Sequence, residues 1–217
     1  MHHIQKHILQ VLTYAKRAKF SEMRPPRVDS NVYSYHLKAL QREQFVEKTD
    51  LGYRLSPNGL AYVDKVSLGN FEQRVQPKIM TILVLKDEKG NVLLHQKRRQ
   101  PFIDSKLLPS GKIHLDDPSV AVAAERELHE KIGEGASPLI HVGDVYIRGR
   151  INGQLVSSIM GHVCTGTLAD GTSVYPGNAW YSKVDRQKLK LAPATEQIIN
   201  ATETEKQFFF HEFTIDW

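Results

Sequence analysis

The sequence predicts two α+β domains in tandem: a small helical domain closed by a β-hairpin, and a larger one in which β-rich runs surround an amphipathic helix. Three observations carry that reading. Apolar residues recur at helical spacing through most of the first third, whereas later apolar segments are shorter and β-rich. The pattern breaks near residue 72, which sets the domains at 1–70 and 78–217 with a linker at 71–77. The positive charge is also uneven. Eleven of the 29 Lys and Arg and seven of the 24 Asp and Glu precede residue 73, so this third holds +4 of the net charge of +5. A basic excess confined to one small domain is the footprint expected of contact with a polyanion, although a plain solvated surface would also carry it. At 41% hydrophobic and 24% charged, the 217-residue chain falls in the soluble globular class. The longest apolar run, Ile79 to Leu85, is far short of the ~20 residues a membrane span needs. Cys164 is the single cysteine, and no apolar stretch of signal-peptide type stands near the N-terminus. These features predict a cytoplasmic protein with no membrane partner and with Cys164 a buried, inert thiol.

In the first domain, Ile4, Ile8, Leu9, Val11, Leu12 and Ala15 place one apolar side on a helix over 4–16. Phe20 to Met23 gives a short helical turn, stopped by Pro25-Pro26, because proline lacks an amide donor and disfavours helix before it. Asp29 or Ser30 can cap a helix over 31–44, with Val32, Tyr35, Leu37 and Leu40 as its buried stripe. Two short runs, 45–48 and 53–56, flank Thr49-Asp50-Leu51-Gly52 and read as a hairpin. Helical spacing resumes over 57–66 through Leu60, Val63 and Val66. Three helices, a basic hairpin and a closing helix resemble the winged helix-turn-helix proteins, and Ser30-Asn31-x-x-Ser34-Tyr35-His36-Leu37-Lys38-x-Leu40 resembles their recognition helix. The resemblance implies double-stranded DNA as partner and a homodimer on paired half-sites. It sets Asn31, Tyr33, Ser34, His36 and Lys38 against DNA, with Lys48 and Arg54 on the wing, and leaves Tyr35, Leu37 and Leu40 to the core. A protein-docking or dimerisation module is the alternative use of the same fold.

In the second domain, Ile79 to Leu85 and Val92 to Gln96 read as an antiparallel hairpin. A helix over 119–132 follows, with Ala121, Ala124, Leu128 and Ile132 on one side and Gly133 at its end. At ~100° per residue, Glu127, Glu130 and Lys131 fall within one turn opposite that stripe. Two carboxylates three residues apart, facing a glycine-containing loop, form the oxygen-rich site that Mg²⁺ or Mn²⁺ prefers; a solvated helix face with ordinary ion pairs is the plainer reading. The order Gly111, Asp117, then Arg126-Glu127-Leu128-His129-Glu130-Lys131-Ile132-Gly133 resembles the Nudix box. That resemblance, spanning about Lys78 to the C-terminus, implies an α/β/α sandwich with a mixed sheet. It makes Glu127, Glu130 and Arg126 the catalytic set, with Arg126 orienting the acids and Glu127, Glu130 and Gly111 holding the metal.

The box departs from the family pattern at three points. Asp117 replaces the first Glu, eight residues rather than seven precede Arg126, and Lys131 replaces the last Glu. An ammonium ~4 Å from a bound cation would repel it, for each unit of the cation's charge, by ~1 kcal/mol if solvated and ~4 at an effective dielectric of 20, or would take the cation's place. Glu134, almost in line with Glu127 on a helical wheel, is the candidate substitute. Arg98 and Arg99, after the second strand, and Lys112 are candidate holders of ligand phosphate, with His95 flanking the same pocket. Lys97-Arg98-Arg99 reads equally as a solvated strand end. Strands are expected over 142–147 and 155–164 with Arg148, Gly149, Arg150 and Gly153 turning between them, Arg148 and Arg150 being further phosphate candidates. Trp180 and Tyr181 either stack on a base or fill the core. Thr195 to Phe209 reads as helix, and Phe208-Phe209-Phe210 as packing or a subunit contact.

The fusion, together with Lys131, points to a DNA-binding regulator whose second domain binds a nucleoside-diphosphate compound of sugar or ADP-ribose type, with hydrolysis weakened or lost. The alternatives are an active Mg²⁺-dependent pyrophosphohydrolase with a docking N-terminal domain, and an adaptor that binds neither DNA nor nucleotide.

Overall fold

The computed structural model describes residues 1–67, 70–73, 75–100, 102–133, 138–169 and 174–216. It divides into two compact units, Met1–Val75 and Gln76–Trp217. No described helix is long and apolar enough to cross a membrane.

The first unit begins with α1, His3–Tyr14, capped by His2 in a reciprocal pair with Gln5, and buries Ile4, Ile8, Leu9 and Leu12. Residues 19–23 form only a turn, closed by the Glu22 amide on the Lys19 carbonyl and by Glu22 Oε2 on the Lys19 amide. The turn's few residues before Pro25-Pro26 leave no room for a second full helix, so two helices, not three, precede the wing. Asp29 Oδ1 accepts from the amides of Asn31 and Val32 and starts α2, Ser30–Arg42. Strands β1, Val46–Thr49, and β2, Gly52–Leu55, pair antiparallel, and Tyr53 bridges Ala18. Gly52 has φ +121°, and a Cβ there would stand 2.6 Å from the Ala18 carbonyl oxygen, so the turn requires glycine. Ser56 caps α3, Pro57–Val63. The result is a winged helix whose core joins Ile8, Leu9, Met23, Tyr33, Leu37 and Leu40.

The buried side of α2 is Tyr33, Leu37, Ala39 and Leu40. Val32 and Tyr35, expected inside, are 47% and 68% exposed. Tyr33, expected to face DNA, is fully buried, and burial pushes its hydroxyl up to about 12.

The second unit is an α/β/α sandwich on a mixed sheet of eight strands among the described residues. Strand β3, Lys78–Lys86, lies at its centre. It pairs with β4, Val92–Gln96, only at Lys86↔Val92, so the expected hairpin splays immediately. Beyond that pair β3 takes β6, Ser110–Lys112, as neighbour, while β4 pairs with β5, Lys106–Leu107, and β9, Asn178–Tyr181. On the other side β3 runs parallel to β8, Gln154–Thr167, which is antiparallel to β7, Ile140–Ile151. Arg148, Gly149 and Arg150 therefore belong to β7 and not to a turn; the reversal is at Asn152-Gly153.

Helix α4, Val120–Lys131, covers one face through Ala124 and Leu128, which cluster with Leu83, Leu85, Leu93 and Cys164. Following α5, Lys183–Arg186, helix α6, Thr195–Thr204, covers the other face, where Ile198 and Ile199 meet Ile82, Val84, Val145 and Val163. The expected helix through Phe209 stops at Thr204. Residues Phe209–Asp216 form β10, parallel to β7, in which Phe209, His211, Phe213 and Ile215 alternate with exposed neighbours.

Candidate functional site

Gly111 stands opposite Thr81 in the β6–β3 pairing, directly beneath α4. A Cβ on Gly111 would lie 1.7–1.9 Å from the Glu127 carboxylate, so the absence of a side chain is what seats Glu127. Glu127 is only 3% exposed and belongs to the buried side of α4 with Ala123, Ala124 and Leu128, while Ala121 is exposed. It is not opposite the apolar stripe, as the wheel suggested; the stripe itself is turned to admit it.

A buried carboxylate needs a compensating partner. Arg126 supplies it, donating from Nη1 to Glu127 Oε1 at 2.9 Å and to Glu130 Oε1 at 3.3 Å. The other edge of the guanidinium forks onto Asp117, with Nε to Oδ1 at 3.0 Å and Nη2 to Oδ2 at 2.7 Å, and Nη2 also donates to the Lys112 carbonyl at 3.1 Å. That fork, with the His114 amide, holds the Asp117 carboxyl down to about 2. The extra residue before Arg126 and the shorter side chain of Asp117 thus leave the orienting contact intact. Arg126 is itself held well above the ordinary arginine range, first by Asp117.

Among the described residues, Glu127 Oε2 is buried with no hydrogen-bond partner. An orphaned anionic oxygen beside the half-exposed carboxylate of Glu130 is a donor set that fits a hard divalent cation. Arg126, Glu127, Glu130 and Gly111 are therefore brought together.

Lys131 does not join them. Among the described residues no ion pair links it to Glu127 or Glu130, and its side chain is exposed. Its charge acts instead on His95, whose imidazole is held below its ordinary range first by burial and then by Lys131, Arg98 and Lys106, against the opposing effect of a 3.2 Å contact with Asn178. Asn178 also donates to the Lys131 carbonyl at 2.8 Å, tying the end of α4 to β9. Three cations thus surround a histidine biased toward its neutral form. The sequence reading grouped His95 with Arg98 but missed Lys106 and Asn178, because the cluster joins residues from β4, β5, α4 and β9. Arg98, Arg99 and Lys112 are exposed, and Arg148 and Arg150 half-buried in β7. Glu134 lies outside the described residues.

Trp180 packs against the α4-side core and Tyr181 against the α6-side core, with the Lys106 ammonium 5.4 Å from the Tyr181 ring. Phe209 is buried over Gly143, whereas Phe208 and Phe210 are exposed. Cys164 is 1% exposed, and burial pushes its thiol up to about 11.

In the first unit the solvent face of α2 presents Asn31, Tyr35, Lys38 and Arg42. Ser34 is half-buried, and His36 stacks on His2 at 4.1 Å. On the hairpin Lys48 is exposed and Arg54 pairs with Glu47. Tyr35 is the surface aromatic the sequence reading gave to the core; its signal was the alternative helical phase, 33-37-40, for the buried stripe.

A winged helix and an α/β/α domain with an arginine-clamped acidic helix define the class, and comparison with known proteins agrees for the second unit. Residues 76–167 match the NUDIX domain family, and residues 2–66 match a family described as Domain of unknown function (DUF7347). The second unit is a Nudix domain. Among solved structures, the NUDIX domain of Shewanella oneidensis NrtR complexed with ADP ribose aligns at 21% identity and a TM-score of 0.51, over 63% of this chain and 94% of that one. The mutator MutT protein from Bacillus halodurans aligns at 20% and 0.50, over 63% and 89%. Shewanella oneidensis NrtR complexed with a 27mer DNA aligns at 20% and 0.48, over 56% and 58%. No curated protein matches the chain.

Proposed function

We propose that the protein is a DNA-binding regulator, acting in the cytoplasm as a homodimer, whose Nudix domain reads a nucleoside-diphosphate compound with weak or no hydrolysis. The observation that carries the reading is the division of charge at the site. The acidic cradle holds two metal-facing carboxylates where the family pattern has three, and Lys131 adds its charge to the cluster around His95. Glu127 and Glu130 would hold Mg²⁺ or Mn²⁺ beside the Gly111 backbone; when bound, such an ion neutralises a diphosphate and polarises an attacking water. Arg126 orients the two carboxylates. Lys131, Arg98 and Arg99, with Lys112, bind phosphate oxygens, and near-neutral His95 can donate one hydrogen bond to them. ADP-ribose is the first ligand to test, since it is the compound seen with the NrtR Nudix domain. The solvent face of α2, with Asn31, Tyr35 and Lys38 and with half-buried Ser34 at its edge, enters the major groove, and Lys48 and Arg54 meet the backbone from the wing.

Calorimetric titration of ADP-ribose with and without Mg²⁺, run beside a phosphate-release screen of nucleotide sugars, dinucleotides and nucleoside triphosphates, tests the ligand half. Saturable binding that is weakened in Lys131→Ala, without rapid turnover, supports it; absence of binding by every compound removes it. The orphaned Glu127 Oε2 favours a second reading, an active Mg²⁺-dependent hydrolase. Rapid release abolished in Glu127→Gln would establish that reading instead. A gel shift against genomic fragments at stated salt tests the DNA half, which fails if no fragment outcompetes bulk DNA.

A further inference from the structure

A second cluster of ligating side chains lies on β7 and β8, outside the Arg126–Glu127 site. Asp144 and His162 are direct partners in the antiparallel pairing of these strands, so their side chains share a face. His141 is three residues before Asp144, and strict alternation would turn it to the opposite face. The register shift between His141 and Gly143 is a β-bulge that re-aims it. The three side chains consequently converge: His141 Nε2 lies 2.8 Å and His162 Nδ1 2.7 Å from the same oxygen, Asp144 Oδ1. The ligating atoms all fall within 4.8 Å of one another.

We propose that His141, Asp144 and His162 form a binding site for a divalent transition-metal ion of the Zn²⁺, Co²⁺ or Ni²⁺ class. The two imidazole nitrogens are borderline donors and favour these ions over Mg²⁺ and Ca²⁺, which take oxygen ligands, while the single carboxylate oxygen serves either class. Ligand–metal bonds of ~2.0–2.1 Å in a tetrahedron separate ligand atoms by ~3.3 Å. The observed 2.7 and 2.8 Å contacts therefore have to open by about half an ångström, within the reach of side-chain torsions. The hydrogen-bonded triad is the contracted form of the same ligand set. In the neutral imidazoles the proton moves to the other ring nitrogen, so that the one facing Asp144 can ligate. Side-chain exposures of 32% for His141, 23% for Asp144 and 19% for His162 leave the cluster reachable from solvent, and water completes the coordination.

The site is separate from the Nudix carboxylates but shares their face of the sheet. Thr81 pairs with Gly111 on one side and with His162 on the other, so Gly111, Thr81, His162 and Asp144 form one cross-strand row. Strand spacing puts His162 ~10 Å from Gly111.

The test uses the full chain, stripped with chelator and titrated with Co²⁺ under visible absorption and with Zn²⁺ in a calorimeter. One tight equivalent is expected, giving the visible bands of low-coordinate Co²⁺ and displaced by Zn²⁺ but not by Mg²⁺. His162→Ala, and separately Asp144→Asn, which keeps the shape of the side chain, should each weaken binding by about a hundredfold, the upper range for losing even a supporting contact at a metal site. Glu127→Gln should leave it unchanged. Absence of the tight equivalent overturns the proposal. So does an equivalent that survives both ligand variants but vanishes in a His2→Ala, His3→Ala double variant, since the exposed N-terminal histidines would then be its source.

Discussion

Replacing Gly111 with alanine tests how the Nudix site is built. The added methyl carbon would meet three atoms of the Glu127 carboxylate at 1.7–1.9 Å, where ordinary contact begins near 3.4 Å, so the carboxylate has to retreat by at least 1.5 Å. It cannot retreat freely, because Oε1 is held by Arg126 at 2.9 Å and Arg126 is clamped to Asp117. Overpacking of this kind costs ~1–3 kcal/mol. For a domain of this size that corresponds to a fall in Tm of ~3–10 °C. Denaturant titration of Gly111→Ala, Glu127→Ala and the double variant, compared with wild type, isolates the contact as a coupling energy. With the carboxylate removed the methyl has space, so Gly111→Ala should cost ~1 kcal/mol or less in the Glu127→Ala background. An equal cost in both backgrounds would refute the claim that the glycine exists to seat Glu127.

Other expectations follow from the same contacts. The fork from Arg126 lowers the folded Asp117 pKa from 3.8 to about 2, so its stabilising contribution is fully present above pH 3.8 and is lost as the pH falls through about 2. Carboxyl NMR should find that titration, and Asp117→Asn should flatten the stability profile across the same window. Among the described residues the buried Tyr33 hydroxyl has no partner, so Tyr33→Phe should be neutral or stabilising by about 1 kcal/mol in denaturant titration. It should leave DNA affinity unchanged. Lys38→Ala, on the open face of α2, should weaken binding to all sequences and reduce the salt slope of log K by about one. Because Lys131 stands with His95 and not with the carboxylates, Lys131→Glu should leave Mg²⁺ affinity and phosphate release unchanged; tighter binding with faster release would place residue 131 at the metal site.

Much of this architecture was legible because local signals agreed. The residue order from Gly111 to Gly133 announced the clamp, and the clamp tolerated both a shortened acid and an added residue. The winged helix was legible from Asp29, the Gly52 turn and helical periodicity. The phase of α2 was ambiguous: apolar residues at 32, 33, 35, 37, 39 and 40 satisfy two helical stripes, and tertiary packing against Ile8, Leu9 and Met23 selects the one containing Tyr33. Strand β10 was hidden behind Thr195's helical start, although the alternation of Phe209, His211, Phe213 and Ile215 carried its period. The meeting of Lys131 with His95 was not legible, because it joins the end of α4 to strands distant in sequence. Nor was the meeting of His141 with Asp144, which depends on a bulge that no local residue pattern announces.

The central claim is that nucleotide binding and DNA binding are coupled in one chain. Fluorescence anisotropy of a fragment selected from genomic DNA, at fixed salt with and without saturating ADP-ribose, measures that coupling. Allosteric coupling of ~1–3 kcal/mol predicts a change in DNA affinity of at least about fivefold, lost in Lys131→Ala at the same ligand concentration. An unchanged affinity with the ligand demonstrably bound would contradict the account.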